Sequence, residues 1–100
     1  MTISNVQHES SWIRVYDNYG KRISQMASNN IQIMAIASHF FVTHEGAWIR
    51  VYDINCRRIS QMSSLNIKIL NGAGNTFTTK EGAWIRVYDE NCRRLSQRSA

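Results

Sequence analysis

Ala47-Trp48-Ile49-Arg50-Val51-Tyr52-Asp53 alternates branched apolar residues with large or charged ones, and it occurs three times. The earlier copy is Ser11-Trp12-Ile13-Arg14-Val15-Tyr16-Asp17, and the later one is Ala83-Trp84-Ile85-Arg86-Val87-Tyr88-Asp89. Successive Trp residues stand 36 positions apart. Residues 45–62 and 81–98 differ only at Ile54/Glu90, Ile59/Leu95 and Met62/Arg98, so 15 of 18 positions are identical. Residues 9–26 match the second copy at 12 of 18. A fixed period of this size marks a repeat architecture, in which each copy is one supersecondary unit that needs its neighbours. Three copies also mean that whatever one copy binds, the chain can bind three times.

Working outward from this stretch, every copy reads as antiparallel sheet. Trp48 to Tyr52 is rich in β-branched and aromatic residues, alternates with period two and contains no helix breaker. A turn cluster, Asp53-Ile54-Asn55-Cys56, leads into a second strand at residues 57–62. The first copy has Tyr19-Gly20 where the others have Asn-Cys, and the second position of such a tight turn often needs a positive φ. Cys56 and Cys92 are therefore expected at strained, exposed loop tips. Upstream, residues 40–45 and 76–81 read as a further strand, turned by Gly46 and Gly82. Residues 30–37 and 66–71 supply a fourth that appears only between copies. Three hairpin units thus carry two connecting strands, so one sheet is either a strand short or completed by another chain.

The expected fold is all-β, with three 36-residue antiparallel sheets in one domain divided at about 1–28, 29–64 and 65–100. Two arrangements suit it: a closed prism with pseudo-threefold symmetry, or three propeller blades completed by dimerisation. A free sheet edge invites pairing with another chain, and a homo-dimer is expected on that ground. Hydrophobic content of 43% and charged content of 19% fit a globular chain. No apolar run approaches the roughly 20 residues that cross a bilayer, so membrane insertion is not expected. Residues 1–11 show no basic start followed by an apolar stretch, which points to the cytoplasm or to secretion without a visible signal peptide.

Side chains on a strand alternate between faces. Ile49 and Val51 share one face and suit a dry core common to the three sheets. Trp48, Arg50 and Tyr52 share the other, as do Trp12, Arg14 and Tyr16, and Trp84, Arg86 and Tyr88. An indole and a phenol flanking a guanidinium make a stacking platform with a charged fork, suited to a sugar ring, a base or an anionic group. The same face can equally be a packing surface, with the Arg paired to Glu45 or Asp53. Glu9, Glu45 and Glu81 precede each turn and are candidate Arg partners or ligand acceptors. The net charge of +5 favours anionic partners, and Lys21-Arg22, Arg57-Arg58 and Arg93-Arg94 repeat a basic pair on each return strand. His8 and His44 are copy-equivalent, but the third copy has Lys80, which argues against a repeated metal ligand. Two cysteines outside any CxxC pair give neither a disulfide framework nor a zinc site. The Ser-Gln steps at Ser24, Ser60 and Ser96 read as polar surface. No catalytic triad, phosphate loop or paired-carboxylate motif is visible, and neither an enzyme nor a cofactor is expected.

Two families resemble parts of this chain. Three tandem units of this length resemble the bulb lectins of monocot plants, which build a triangular β-prism from three sheets and carry a Q-x-D-x-N-x-V-x-Y mannose motif. Aligned on Tyr52, this chain places His44, Gly46, Trp48 and Arg50 at the motif's first four named positions. The resemblance thus implies the architecture but not mannose binding. Ile49-Arg50-Val51-Tyr52 resembles the I-R-V-Y strand of small bacterial fucose lectins, six-bladed propellers assembled from two-blade chains. That likeness implies sugar contact by Arg14, Arg50 and Arg86, although the family's C-W-D-G-x-G-W segment is missing here. Together these readings predict a multivalent, lectin-like carbohydrate-binding module. Single-stranded nucleic acid or another anionic ligand is the first alternative, and a structural or inhibitory protein-interaction module the second.

Overall fold

Strands account for most of the chain in the computed structural model, which describes residues 2–99. Sheet 1 contains β1 (Ile3–Glu9), β2 (Trp12–Asp17) and β3 (Arg22–Ala27). Sheet 2 contains β4 (Gln32–Ile36), β5 (Phe40–Glu45), β6 (Trp48–Asp53) and β7 (Arg58–Ser63). Sheet 3 contains β8 (Lys68–Ala73), β9 (Thr76–Glu81), β10 (Trp84–Asp89) and β11 (Arg94–Ser99). Each sheet is an antiparallel meander in which strands pair with their sequence neighbours. The three expected sheets are present, and sheet 1 is the one that lacks a strand. Its β1 corresponds to β5 and β9, so among the described residues it has no counterpart of β4 or β8.

The hairpins repeat in detail. A register irregularity falls between Val15/Tyr16, Val51/Tyr52 and Val87/Tyr88 alike. In the turn that follows, Asp53 Oδ1 accepts hydrogen bonds from the backbone N–H groups of Asn55 and Arg57. Asp17 and Asp89 cap their turns in the same way. This explains an Asp in every copy, because its short carboxylate satisfies two turn amides locally. The residue closing the turn is left-handed: Gly20 at φ 77°, Cys56 at 61° and Cys92 at 59°. Glycine adopts that conformation without a Cβ clash, whereas the two cysteines occupy it at a cost of about 1–3 kcal/mol each.

Sheet 2 is buried on both faces. Its Ile49 and Val51 face sheet 3 and pack in one apolar layer with Phe77, Tyr88 and Ile69. Its Phe41 and Tyr52 face sheet 1 and pack in a second layer with Ile13, Val15, Ile3 and Val6. The core is therefore two layers between successive sheets, not one interior shared by three. The reason is the alternation itself, since a strand with apolar side chains on both faces buries both by standing between two sheets. This face-on-face stacking is that of blades rather than of a closed prism.

The stacking has a direction and two ends. Strand β1 packs against β4 and β4 against β8, while no comparable contact joins β1 to β8. At the inner turns the Ile3 N–H donates to the Ser38 carbonyl and the Ser38 N–H to the Gly74 carbonyl. Gly72 marks the closest approach, where an added Cβ would stand 3.0 Å from the Ile36 carbonyl oxygen and 3.2 Å from Ala35 Cβ. Extents of 39, 26 and 18 Å describe an open array, since a threefold closed body would have two equal dimensions. Ile13, Val15, Ile49 and Val51 are fully buried, whereas the copy-equivalent Ile85 and Val87 are only half-buried and Leu95 is 58% exposed. Among the described residues, no further sheet lies on the face of sheet 3 that carries them.

Candidate functional site

Each copy builds the same side-chain cluster around its glutamate. In sheet 2, Arg50 Nη1 donates to Glu45 Oε1 at 2.9 Å, and the Tyr52 hydroxyl donates to Glu45 Oε2 at 2.6 Å. Arg50 Nε donates to Gln61 Oε1 at 3.1 Å, and the Thr43 hydroxyl donates to Glu45 Oε2 at 2.7 Å. Sheet 3 repeats all four bonds with Arg86, Glu81, Tyr88, Gln97 and Thr79. Sheet 1 repeats three with Arg14, Glu9, Tyr16 and Gln25. The strand pairing places these residues together: Glu45 is opposite Trp48, Thr43 opposite Arg50 and Arg50 opposite Gln61. Of the two partners open to the Arg, Glu is the one used, because Asp53 is occupied by its turn.

The Trp-Arg-Tyr face is graded from dry to wet. Tyr52 and Tyr88 are buried between sheets, with rings stacked on Phe41 and Phe77 at centroid distances of 5.4 Å. The arginines are half-buried. Trp12, Trp48 and Trp84 are 40%, 41% and 42% exposed. Packing thus claims Tyr52 and Tyr88, leaves Tyr16 half-buried, and leaves the indole, with the edge of the Arg–Glu pair, at the surface. The Arg–Glu ion pairs are 3.0, 2.9 and 2.7 Å long in sheets 1 to 3. Glu9 is the most open of the three glutamates, with side-chain exposure of 31% against 13% for Glu45 and Glu81, because no sheet covers it.

These contacts set the protonation of the cluster. Burial, followed by the hydrogen bond to Glu45, pushes the Tyr52 hydroxyl from its ordinary 10.0 up to about 12. Burial and Glu81 raise Tyr88 likewise, while for Tyr16 the bond to Glu9 is the leading cause. Burial works against the Glu81 charge, but the hydrogen bonds from Tyr88, Thr79 and Arg86 outweigh it and lower its pKa. Glu9 is lowered chiefly by the Tyr16 bond. The raised tyrosines favour the folded state fully below pH 10, and that contribution disappears as the pH climbs towards 12. The lowered glutamates act in the opposite sense, stabilising above the ordinary carboxylate range and losing that effect as the pH falls below it. Tyr52→Phe, which has no proton to lose, should therefore show less alkaline destabilisation than the parent when urea unfolding is compared at pH 8 and pH 11.

Several groups without an assigned role in the sequence take part. Gln25, Gln61 and Gln97 hold the Arg side chains in orientation. Ser24 Oγ donates to the Ile54 carbonyl across the gap between sheets 1 and 2 and lies 3.2 Å from Cys56 Sγ. Ser60 does the same with the Glu90 carbonyl and Cys92. The strict recurrence of Ser-Gln at one offset was the available signal, and polarity alone could not distinguish a latch from a surface pair. Cys56 and Cys92 have the expected left-handed backbone but are half-buried against their apolar layers rather than exposed. Burial raises both thiols, which keeps them protonated.

A cleft of about 470 Å³ opens between sheets 1 and 2 at the turn end, lined by His8, Ser28, Asn30, Ile31, Gln32, His44 and Gly46. The basic pairs Lys21-Arg22, Arg57-Arg58 and Arg93-Arg94 lie exposed at the start of β3, β7 and β11, where Arg22, Arg58 and Arg94 stand opposite Tyr16, Tyr52 and Tyr88. Arg93 Nε lies 3.8 Å from Asp89 Oδ2. Among the described residues, no three His, Cys, Asp or Glu side chains gather as a metal site. The fold and these clusters define a tandem-repeat all-β protein. No protein-family model matches the chain, and a search of curated proteins returns no similar sequence.

Proposed function

We propose that the chain is a non-enzymatic, multivalent carbohydrate-binding module, each copy offering one lectin-like site at an exposed Trp beside an Arg–Glu pair. The supporting observation is the threefold recurrence of a half-exposed indole next to a guanidinium held by both Glu and Gln. An indole face covers the apolar C–H face of a sugar ring, and the neighbouring Arg and Glu supply donors and acceptors for hydroxyls. Pairing also neutralises the arginine locally, which suits a neutral polyol better than a phosphate. Preset geometry matters here, because a ligand need not pay to order these side chains. The I-R-V-Y likeness to bacterial fucose lectins agrees with this reading at Arg14, Arg50 and Arg86.

The exposed basic pairs favour a second reading, in which phosphates run along the outer strands and the indoles stack on single-stranded bases. Salt separates the two. Sugar binding measured by calorimetry should be nearly unchanged between 50 and 200 mM salt, whereas binding through several phosphates should fall about 10³-fold or more. Trp12→Ala, Trp48→Ala and Trp84→Ala should each weaken binding to a multivalent glycan surface and leave the melting temperature nearly unchanged. The triple variant should lose the avidity gain, about 10²–10⁴-fold. Binding that survives the triple variant but disappears with Arg57→Ala/Arg58→Ala would transfer the assignment to the basic pairs.

A further inference from the structure

We propose that a second copy of this chain seats head-to-tail on the two open sheet faces, sheet 3 of one copy against sheet 1 of the other, closing a ring of two chains. The inference is independent of the sugar reading. It rests on the fact that the two open faces are the two halves of a junction the chain already makes twice. In each internal junction the earlier sheet presents Ile13 and Val15, or Ile49 and Val51, and the later sheet covers them with its Tyr-and-Glu face. Sheet 3 presents the same pair, Ile85 and Val87, and no other sheet among the described residues covers them. Sheet 1 presents the covering face, Tyr16 with Glu9, to nothing.

The latch repeats as well. Ser24 bonds to the Ile54 carbonyl and Ser60 to the Glu90 carbonyl. One period on, Ser96 stands exposed, and one period back, the equivalent carbonyl belongs to Asn18 of the uncovered face. The open faces also differ from the internal ones in a consistent sense. Arg98 replaces Met26 and Met62, Asn5 replaces Phe41 and Phe77, and Gly20 replaces the two cysteines. Both open faces are thus more polar, as expected of a joint between chains that must also tolerate water. His8, His44 and Gly46 line one cleft, so the turn ends of successive sheets coincide. Arg98 would accordingly meet the turn end of sheet 1, where Glu9 is the most open glutamate. Because successive inner strands touch while β7 and β11 share no comparable contact, the sheets fan outward. A head-to-tail joint closes into a ring where its rotation closes, which a fan permits, whereas a straight one grows into a filament. Closure would also give the Trp12–Arg14 site the neighbouring sheet that the other two sites already have.

Cysteine pairing tests the joint directly. Ser24 and Ser60 face Cys56 and Cys92 at 3.2 Å, so Ser96→Cys in one copy should face Gly20→Cys in the other. Gly20→Cys introduces the residue that its two repeat equivalents already carry in the same left-handed region of φ. In a background with Cys56→Ser and Cys92→Ser, mild oxidation of the double variant should yield a covalent species of two 11.6 kDa chains on a non-reducing gel. Each single variant alone should remain a monomer on that gel, and a mixture of the two should cross-link. As an internal control, Ser60→Cys with native Cys92 should close within one chain. Sedimentation of the parent should give a discrete dimer that Leu95→Arg dissociates, a change suited to an already exposed position. A closed control without interchain linkage, a parent that stays monomeric at high micromolar concentration, or an open-ended ladder of species would overturn the proposal.

Discussion

Phe41→Ala is expected to cost about 3–5 kcal/mol of folding stability, the range for truncating a fully buried aromatic residue. Phe41 is completely buried between sheets 1 and 2 and stacks on Tyr52. Its removal empties the centre of one apolar layer and removes the ring that fixes the phenol acting on Glu45. Small domains are stable by only about 5–15 kcal/mol, so this single change would consume a large share of the total. The repeat supplies its own control. Asn5 holds the equivalent register position on sheet 1, opposite Tyr16, where no sheet covers it. Asn5→Ala should shift the melting midpoint by no more than a degree or two, whereas Phe41→Ala should lower it by 10 °C or more, on the scale of about 4–8 °C per kcal/mol for a domain of this size. Equal effects at the two positions would refute the assignment of buried and open faces.

Glu45→Ala should be the most damaging change to the polar cluster, costing about 3 kcal/mol in urea unfolding. The carboxylate accepts from Arg50, Tyr52 and Thr43 together. Deleting it leaves the buried Tyr52 hydroxyl without its acceptor, the Thr43 hydroxyl with only the longer bond to the Arg50 carbonyl and the half-buried guanidinium with only Gln61. An unsatisfied buried group carries a penalty of about 1–3 kcal/mol before solvent screening of the Arg is allowed for. Glu45→Gln keeps the shape and one acceptor oxygen, so it should recover much of the loss. Glu9→Ala should be milder than either, since Gln7 replaces the threonine and water reaches that face. A Glu45→Ala variant as stable as the parent would show that the cluster organises the surface without holding the sheets.

The sequence made the sheets legible because the alternation in Trp48-Ile49-Arg50-Val51-Tyr52 is unbroken and occurs three times. The strands expected at residues 40–45 and 76–81 coincide with β5 and β9, and the deficit of one connecting strand reappears as a three-stranded sheet 1. The stacking was harder to read. Phe41 and Tyr52 lie on the opposite face from Ile49 and Val51, which implies a sheet sandwiched between two others, yet a Tyr beside an Arg reads equally well as surface. What decides it is a neighbour across space: Tyr52 is buried because Ile13 and Val15 of another sheet lie against it. The cysteines show the same limit. Their backbone conformation follows from the turn that Gly20 makes in the first copy, but their burial follows from Ser24 and Ser60, which approach from 32 residues away.

Pairing only between sequence neighbours has a consequence for how the chain reaches this structure. Every strand finds its partner across a short turn, so little loop-closure entropy is lost before a sheet forms, and contact order is low for an all-β protein. Each meander can form early, with docking of sheet on sheet as the later step. The hazard lies in the near-identity of residues 45–62 and 81–98, because β6 and β10 are both Trp-Ile-Arg-Val-Tyr-Asp and each satisfies the pairing pattern of the other's neighbours. During synthesis, the sheet emerging first would be protected if it completed its meander before its twin left the ribosome. Refolding from denaturant removes that head start, so swapped hairpins between copies would accumulate as a slow phase there and be absent from cotranslational folding.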